Sequence, residues 1–204
     1  MNIKWEISEK DIQNVKEIVA NNQNVFMKVR YENNIKRNNL YIHKDAVIHT
    51  LLMCLLTSQQ RSGPNSKVSQ FITRKPFPVT YKSIPWDESI EMYIKEILVR
   101  YDLKRYLNRI SSYFAINVKK FDKEGWTILS DLECLLDVDS KKEERRVADN
   151  LNQEYKGIGP KQARNFLQAL GLTKYEIPVD SRITNWLNNI GFRVTLRSTP
   201  LSDV

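Results

Sequence analysis

Two charged side chains, Lys161 and Asp180, each open a helical pattern behind a turn signal. Lys161 follows Gly157-Ile158-Gly159-Pro160, and Asp180 follows Ile177-Pro178-Val179. A lysine attacks carbon once it has lost its proton, and a nearby carboxylate stabilises positive charge developing on a substrate. The peptide dipoles place a partial positive charge at the first turn of a helix. An ammonium is disfavoured there, which favours the free amine that Lys161 would need. The plainer alternatives are a solvated surface lysine and, for Asp180, an ordinary N-cap with Ser181 as rival.

The turn before Lys161 has chemistry of its own. Gly157 and Gly159 allow φ > 0 or close approach by another backbone, and Pro160 suits the first helical position, where its missing N–H costs nothing. A glycine turn feeding a helix start presents unpaired N–H groups, and these suit a phosphate. A plain αα-hairpin would carry the same glycines.

The elements that must position these groups follow from apolar spacing. Ala163, Phe166, Leu167 and Leu170 recur at i, i+3, i+4 and i+7, which places Lys161 opposite the core face alongside Asn165 and Gln168. Gly171 stops this helix. From Lys161 to Leu170 the helix climbs about 14 Å. The segment 171–180 spans up to about 30 Å if extended, enough to bring Asp180 back to the starting end. Ile183, Trp186, Leu187 and Ile190 then form another helical face, closed by Gly191.

Upstream, Ser8 with Asp11 starts a first helix over 8–21, carrying Ile12, Val15, Ile18 and Val19. Phe26, Val29 and Tyr31, or Leu40 to Ile42, are short strands or loop. From Asp45 to Thr57 the residues Val47, Ile48, Leu51, Leu52, Leu55 and Leu56 make a helix apolar on most sides, hence central. His49 within it reads as a packed or rim histidine. The polar loop Ser58-Gln59-Gln60-Arg61-Ser62-Gly63-Pro64 ends that helix, and Asn65 or Ser66 caps a short one reaching Phe71. Helices are expected over 87–99, 103–118, 126–136 and 143–155. The last shows Val147, Leu151 and Tyr155 on one face of an otherwise charged helix. The fold class is therefore all-α or nearly so.

These residues resemble the helix-hairpin-helix base-excision DNA glycosylases, the superfamily of endonuclease III and 8-oxoguanine glycosylase. The likeness rests on Gly157-Ile158-Gly159, on Lys161, on Val179-Asp180 nineteen residues later, and on Leu55-Leu56-Thr57-Ser58-Gln59. It spans about residues 45–190 and is nearest the bifunctional 8-oxoguanine branch. The resemblance implies a two-lobed helical unit over 1–204, with a helix-hairpin-helix at about 143–171 and the active site in the cleft between lobes. Lys161 and Asp180 would be catalytic; Gly157, Gly159, Gln162, Arg182, Ser58, Gln59, Gln60 and Arg61 would meet DNA; Asn165 would line the base pocket. The implied activity is removal of an oxidised base from duplex DNA with strand cleavage, without metal or organic cofactor. A related glycosylase for oxidised pyrimidines or alkylated purines, and a non-catalytic DNA-binding module, are the alternatives.

This sequence departs from the family in three ways. Arg182 stands where the family often has His, Asn165 where eukaryotic 8-oxoguanine enzymes stack a cysteine on the base, and the four-cysteine cluster of the endonuclease III type is missing. The two cysteines, Cys54 and Cys134, read as reduced core thiols. A net charge of +8 over 204 residues favours polyanionic partners. No run reaches the ~20 apolar residues of a membrane span. The expected protein is a soluble intracellular monomer, in the cytoplasm or nucleoid if the cell is prokaryotic. Its last residues, Ser198 to Val204, resemble a helix being started, which suggests a truncated or divergent C-terminus.

Overall fold

The computed structural model describes residues 8–21, 25–37, 40–86 and 89–189. Ile190, Gly191, the segment 198–204 and the side chains of Val19 and Phe26 lie outside the described residues.

Ten α-helices make up the described chain, with no strand among the described residues. α1 (Glu9–Asn21) starts on the expected capping pair: the Ser8 hydroxyl and N–H donate to the Asp11 carboxylate, and the Asp11 N–H returns a bond to Ser8 Oγ. Its apolar positions Ile12 and Val15 nevertheless remain exposed. The next stretch corrects the sequence reading. Val29 and Tyr31 are helical: α2 (Val25–Arg30) runs on into a π-helical turn, Tyr31–Lys36, and 40–42 carries no strand. That turn ends at Arg37, which has a φ of 52° and carries its guanidinium inside the molecule against Glu144.

α3 (Lys44–Thr57) is the centre of the core. Val47, Ile48, Leu52, Cys54 and Leu56 are fully buried, because apolar residues occupy most of its circumference. His43 caps it: Nδ1 accepts from the Ala46 N–H. His49 is a rim histidine as expected, its Nε2–H donating to the Ile72 carbonyl at 2.8 Å. α4 (Lys67–Ile72), capped by Ser66, packs on α3. α5 (Ile90–Arg100) lies along α6 (Leu107–Lys123), and α6 lies against α3. The 103–106 stretch, expected within α6, is a turn instead, since Asp102 and Tyr106 both take positive φ.

α7 (Ile128–Asp137) leads to α8 (Lys141–Glu154) and α9 (Pro160–Ala169), two helices packed on each other across a short turn, the second also packing on α3. α9 ends in a Schellman motif: the Leu172 N–H reaches Leu167 O, and the N–H of left-handed Gly171 reaches Gln168 O. An irregular connector then runs to α10 (Ser181–Asn189). No helix among the described residues is long and apolar enough to cross a membrane.

Candidate active site at two helix starts

The hairpin turn is held in place before any ligand arrives. Gly157 has φ of +78°, and a Cβ there would sit 2.6 Å from Tyr113 Cδ2 and 2.7 Å from Leu55 Cδ2, so α6 and α3 press directly on its backbone. Ile158 anchors the turn in the core. Asn117, wholly buried on α6, brackets Lys156: its Oδ1 accepts the Lys156 N–H at 2.8 Å and its Nδ2 donates to the Lys156 carbonyl at 2.9 Å. Gly159 differs. It caps α9 with extended backbone, and a Cβ there would meet nothing within 4 Å. The first-turn N–H groups of Lys161 and Gln162 lack intrahelical acceptors by position.

Lys161 and Asp180 meet. Nζ lies 3.0 Å from Asp180 Oδ2, the lysine side chain 41% exposed and the aspartate 16%. The helical wheel that set Lys161 opposite Ala163, Phe166 and Leu167 is met, since those three are buried. Asp180 is also the N-cap of α10, displacing Ser181 from that role. Its Oδ1 accepts the N–H groups of Arg182 at 3.0 Å and Ile183 at 3.2 Å. Oδ2 takes Lys161 together with the Arg182 guanidinium at 2.9 Å. Burial pushes the Asp180 carboxyl up. The bonds from Arg182 and Lys161, the Ile183 N–H and the lysine charge outweigh it and hold the group well below the usual carboxylate range.

The other named residues divide. The Gln162 side chain is buried, its amide oxygen accepting from Asn165 Nδ2 at 2.9 Å. The reason is its phase, since Gln162 falls four before Phe166 on the inner face of α9, and it offers a ligand only its backbone N–H. Asn165, one turn beyond Lys161, is half-buried and bound to Gln162. Arg182 is highly exposed apart from its grip on Asp180.

The loop after α3 leaves the core beside the hairpin, because Leu55 in the last turn of α3 abuts Gly157 and the Cys54 thiol faces the Gln162 carbonyl. Ser58 is half-buried and extended; Gln59 is exposed with φ of 58°. Gln60 points inward, its Nε2 buried without a hydrogen-bond partner, and Arg61 is exposed. Gln60 and Arg61 border an open groove of about 430 Å³ whose far wall is the turn before α6. Lys67, Lys104 and Arg105 line it, with Asp102 paired to both lysines. Arg105 and Arg109 sit over the Tyr106 ring.

Among the aromatic side chains, Phe114 is core, whereas Trp86 and Trp186 are part-exposed. Both cysteines are free thiols, Cys54 buried and Cys134 half-buried. Among the described residues no group of three His, Cys, Asp or Glu side chains is arranged to hold a metal ion.

Sequence reasoning missed the supports of the site. Asn117 holds the hairpin, and Glu144, fully buried on α8, holds the connector that carries Asp180. Both gave a readable signal, since each is a polar residue in a core register. Asn117 falls three after Phe114, and Glu144 falls three before Val147 and seven before Leu151. No family model, curated protein or solved structure matches the chain.

Proposed function

We propose that the chain is a base-excision DNA glycosylase with AP-lyase activity, acting on an oxidised base in duplex DNA, 8-oxoguanine first among the candidates. One observation carries the reading: the Lys161 amine and the Asp180 carboxylate converge at 3.0 Å from two separate helix starts, beside an open glycine turn. The two-lobed helix-hairpin-helix architecture, with its cleft, belongs to the same proposal.

In this reading the turn at Gly159 and the first-turn N–H groups of α9 take one phosphate, and the basic groove takes others. The loop Ser58 to Arg61 faces the duplex, and Gln59, exposed at its tip, fills the gap left by the extruded nucleotide. Lys161, ion-paired with Asp180 before substrate enters, gives its proton to water, and the freed amine attacks C1′ of the sugar. The N–C1′ bond forms as the glycosidic bond breaks, and the base leaves with the bonding pair and takes up a proton. The sugar opens to a Schiff base, and β-elimination then breaks the 3′ C–O bond. Asp180 faces the positive charge that develops on the sugar. It stays in place when Lys161 departs, because Oδ1 keeps the two N–H groups of α10.

A second reading is a non-catalytic DNA-binding module, favoured by the fact that Asp180 is fully used as a cap and ion-pair partner without any substrate. A panel of duplexes, each with one defined lesion, assayed for nicking separates the two. The glycosylase reading expects cleavage of a lesion duplex that Lys161→Gln abolishes; binding with no cleavage on any lesion supports the module.

A further inference from the structure

The Lys161–Asp180 contact has a partner contact further inside. One turn along α9, Arg164 Nη2 meets Glu176 Oε2 at 2.7 Å, and Glu176 lies four residues before Asp180 on the connector. The same two segments are thus joined by two ionic rungs, 161 to 180 and 164 to 176. The inner rung is the more enclosed, with Arg164 19% and Glu176 5% exposed. Arg164 also donates to the Pro160 carbonyl at 3.0 Å, so one guanidinium holds both the turn that carries Lys161 and the connector that carries Asp180.

Glu176 is fixed from its other side as well. Arg145 Nε on α8 meets its Oε1 at 3.0 Å. Its N–H donates to Glu144, which also accepts from the N–H groups of Lys174 and Tyr175 and from the Thr173 hydroxyl. Between Glu176 and Asp180 the chain has little else to steady it, since Ile177 and Val179 are exposed. The remaining partners of Asp180, Arg182 and the Ile183 N–H, belong to α10 and move with it. They cannot set its distance from α9.

We propose that Glu176, gripped by Arg164 and Arg145, is the positioning residue of the Lys161–Asp180 pair: it sets how far the connector stands from the first turn of α9. The proposal rests on the reading of Lys161 as nucleophile for its catalytic consequence, though its geometric half does not. A charged rung between two segments resists separation more than a neutral one, and a displacement of ~1 Å at a reacting pair costs up to about a hundredfold in rate.

Glu176→Gln tests it, since the amide keeps the size and one acceptor while losing the charge. The first readout needs no DNA: acetic anhydride labelling of each lysine, mapped by peptide mass. Lys161 should label several-fold faster in the variant than in the wild type, with the other lysines unchanged. The second is single-turnover adduct formation on a lesion duplex, which should slow about ten- to a hundredfold while Kd stays the same. If Glu176→Gln fails to fold, Arg145→Gln, which loosens the same carboxylate from the outside, takes its place. Unchanged Lys161 labelling overturns the proposal, and so does a loss shared equally between Kd and rate. A wild type that forms no adduct on any lesion overturns the nucleophile reading alone, and the labelling arm still decides the positioning role.

Discussion

Asp180 divides its oxygens: Oδ1 closes the start of α10, and Oδ2 faces Lys161. Asparagine preserves the first task, because it caps helices about as well as aspartate, and loses the charge of the second. Asp180→Asn should therefore keep the cap of α10, lower the thermal midpoint only by what the lost ion pairs with Lys161 and Arg182 contribute, and slow base release markedly; lowered stability with normal turnover would show that the carboxylate is structural alone. The two turn glycines make a matched pair of opposite expectations. Gly157→Ala puts a Cβ against Tyr113 and Leu55 at a φ of +78°, and should cost about 1–3 kcal/mol in denaturant unfolding. Gly159→Ala meets nothing, so stability should hold while duplex affinity falls, as a methyl group enters the phosphate approach. Equal affinity for Gly159→Ala and wild type would remove the turn from the DNA contact.

At the level of elements, α8 looks like a solvated helix with one apolar stripe, yet it carries the ion pair that locks the connector. Glu144 is wholly buried, and Arg37 brings its guanidinium to Oε1 at 3.0 Å while donating to the Leu135 and Leu172 carbonyls. Burial pushes the Glu144 carboxyl up. The N–H groups of Lys174 and Tyr175, the Thr173 hydroxyl and the Glu176 N–H overcome it and leave the group below its ordinary value. The folded state then binds fewer protons than the unfolded one, so this stabilisation is complete above the ordinary glutamate range and lost as pH falls through the lowered folded value. Glu144→Gln strands a buried guanidinium and should cost about 3–5 kcal/mol at neutral pH, with a shallower acid dependence than wild type. Parallel acid-unfolding curves for the two proteins would refute the assignment.

The elements themselves were largely legible in the sequence, since α3, α8 and α9 show helical spacing, with Pro160 and Gly171 marking the two ends of α9. The stretch at 25–36 was not: Val29 and Tyr31 suit a strand equally well, and what settles it is tertiary, with Arg30 and Asn34 donating to the Gln168 carbonyl at the end of α9. The Lys161–Asp180 meeting was reachable by helix length and connector length. The inward turn of Gln162 and the roles of Asn117, Arg164 and Glu176 depend on which helices become neighbours, which spacing within one helix does not encode.

For the molecule as a whole, the excess of positive charge acquires a location in the groove bordered by Arg61, Lys67, Lys104 and Arg105, next to the loop that leaves α3 beside the hairpin. If hairpin and groove together neutralise about four phosphates, the log–log salt slope is roughly −3.6, and raising salt fourfold weakens binding about a hundredfold. Affinity that ignores salt would contradict a phosphate-led interface. The measurement that bears most directly on the central claim is borohydride trapping on a duplex with a single 8-oxoguanine. Wild type should yield a covalent protein–DNA adduct, Asp180→Asn the same adduct more slowly, and Lys161→Gln none. An adduct that survives Lys161→Gln, or wild type that traps no damaged duplex at all, would contradict the assignment of Lys161 as the nucleophile.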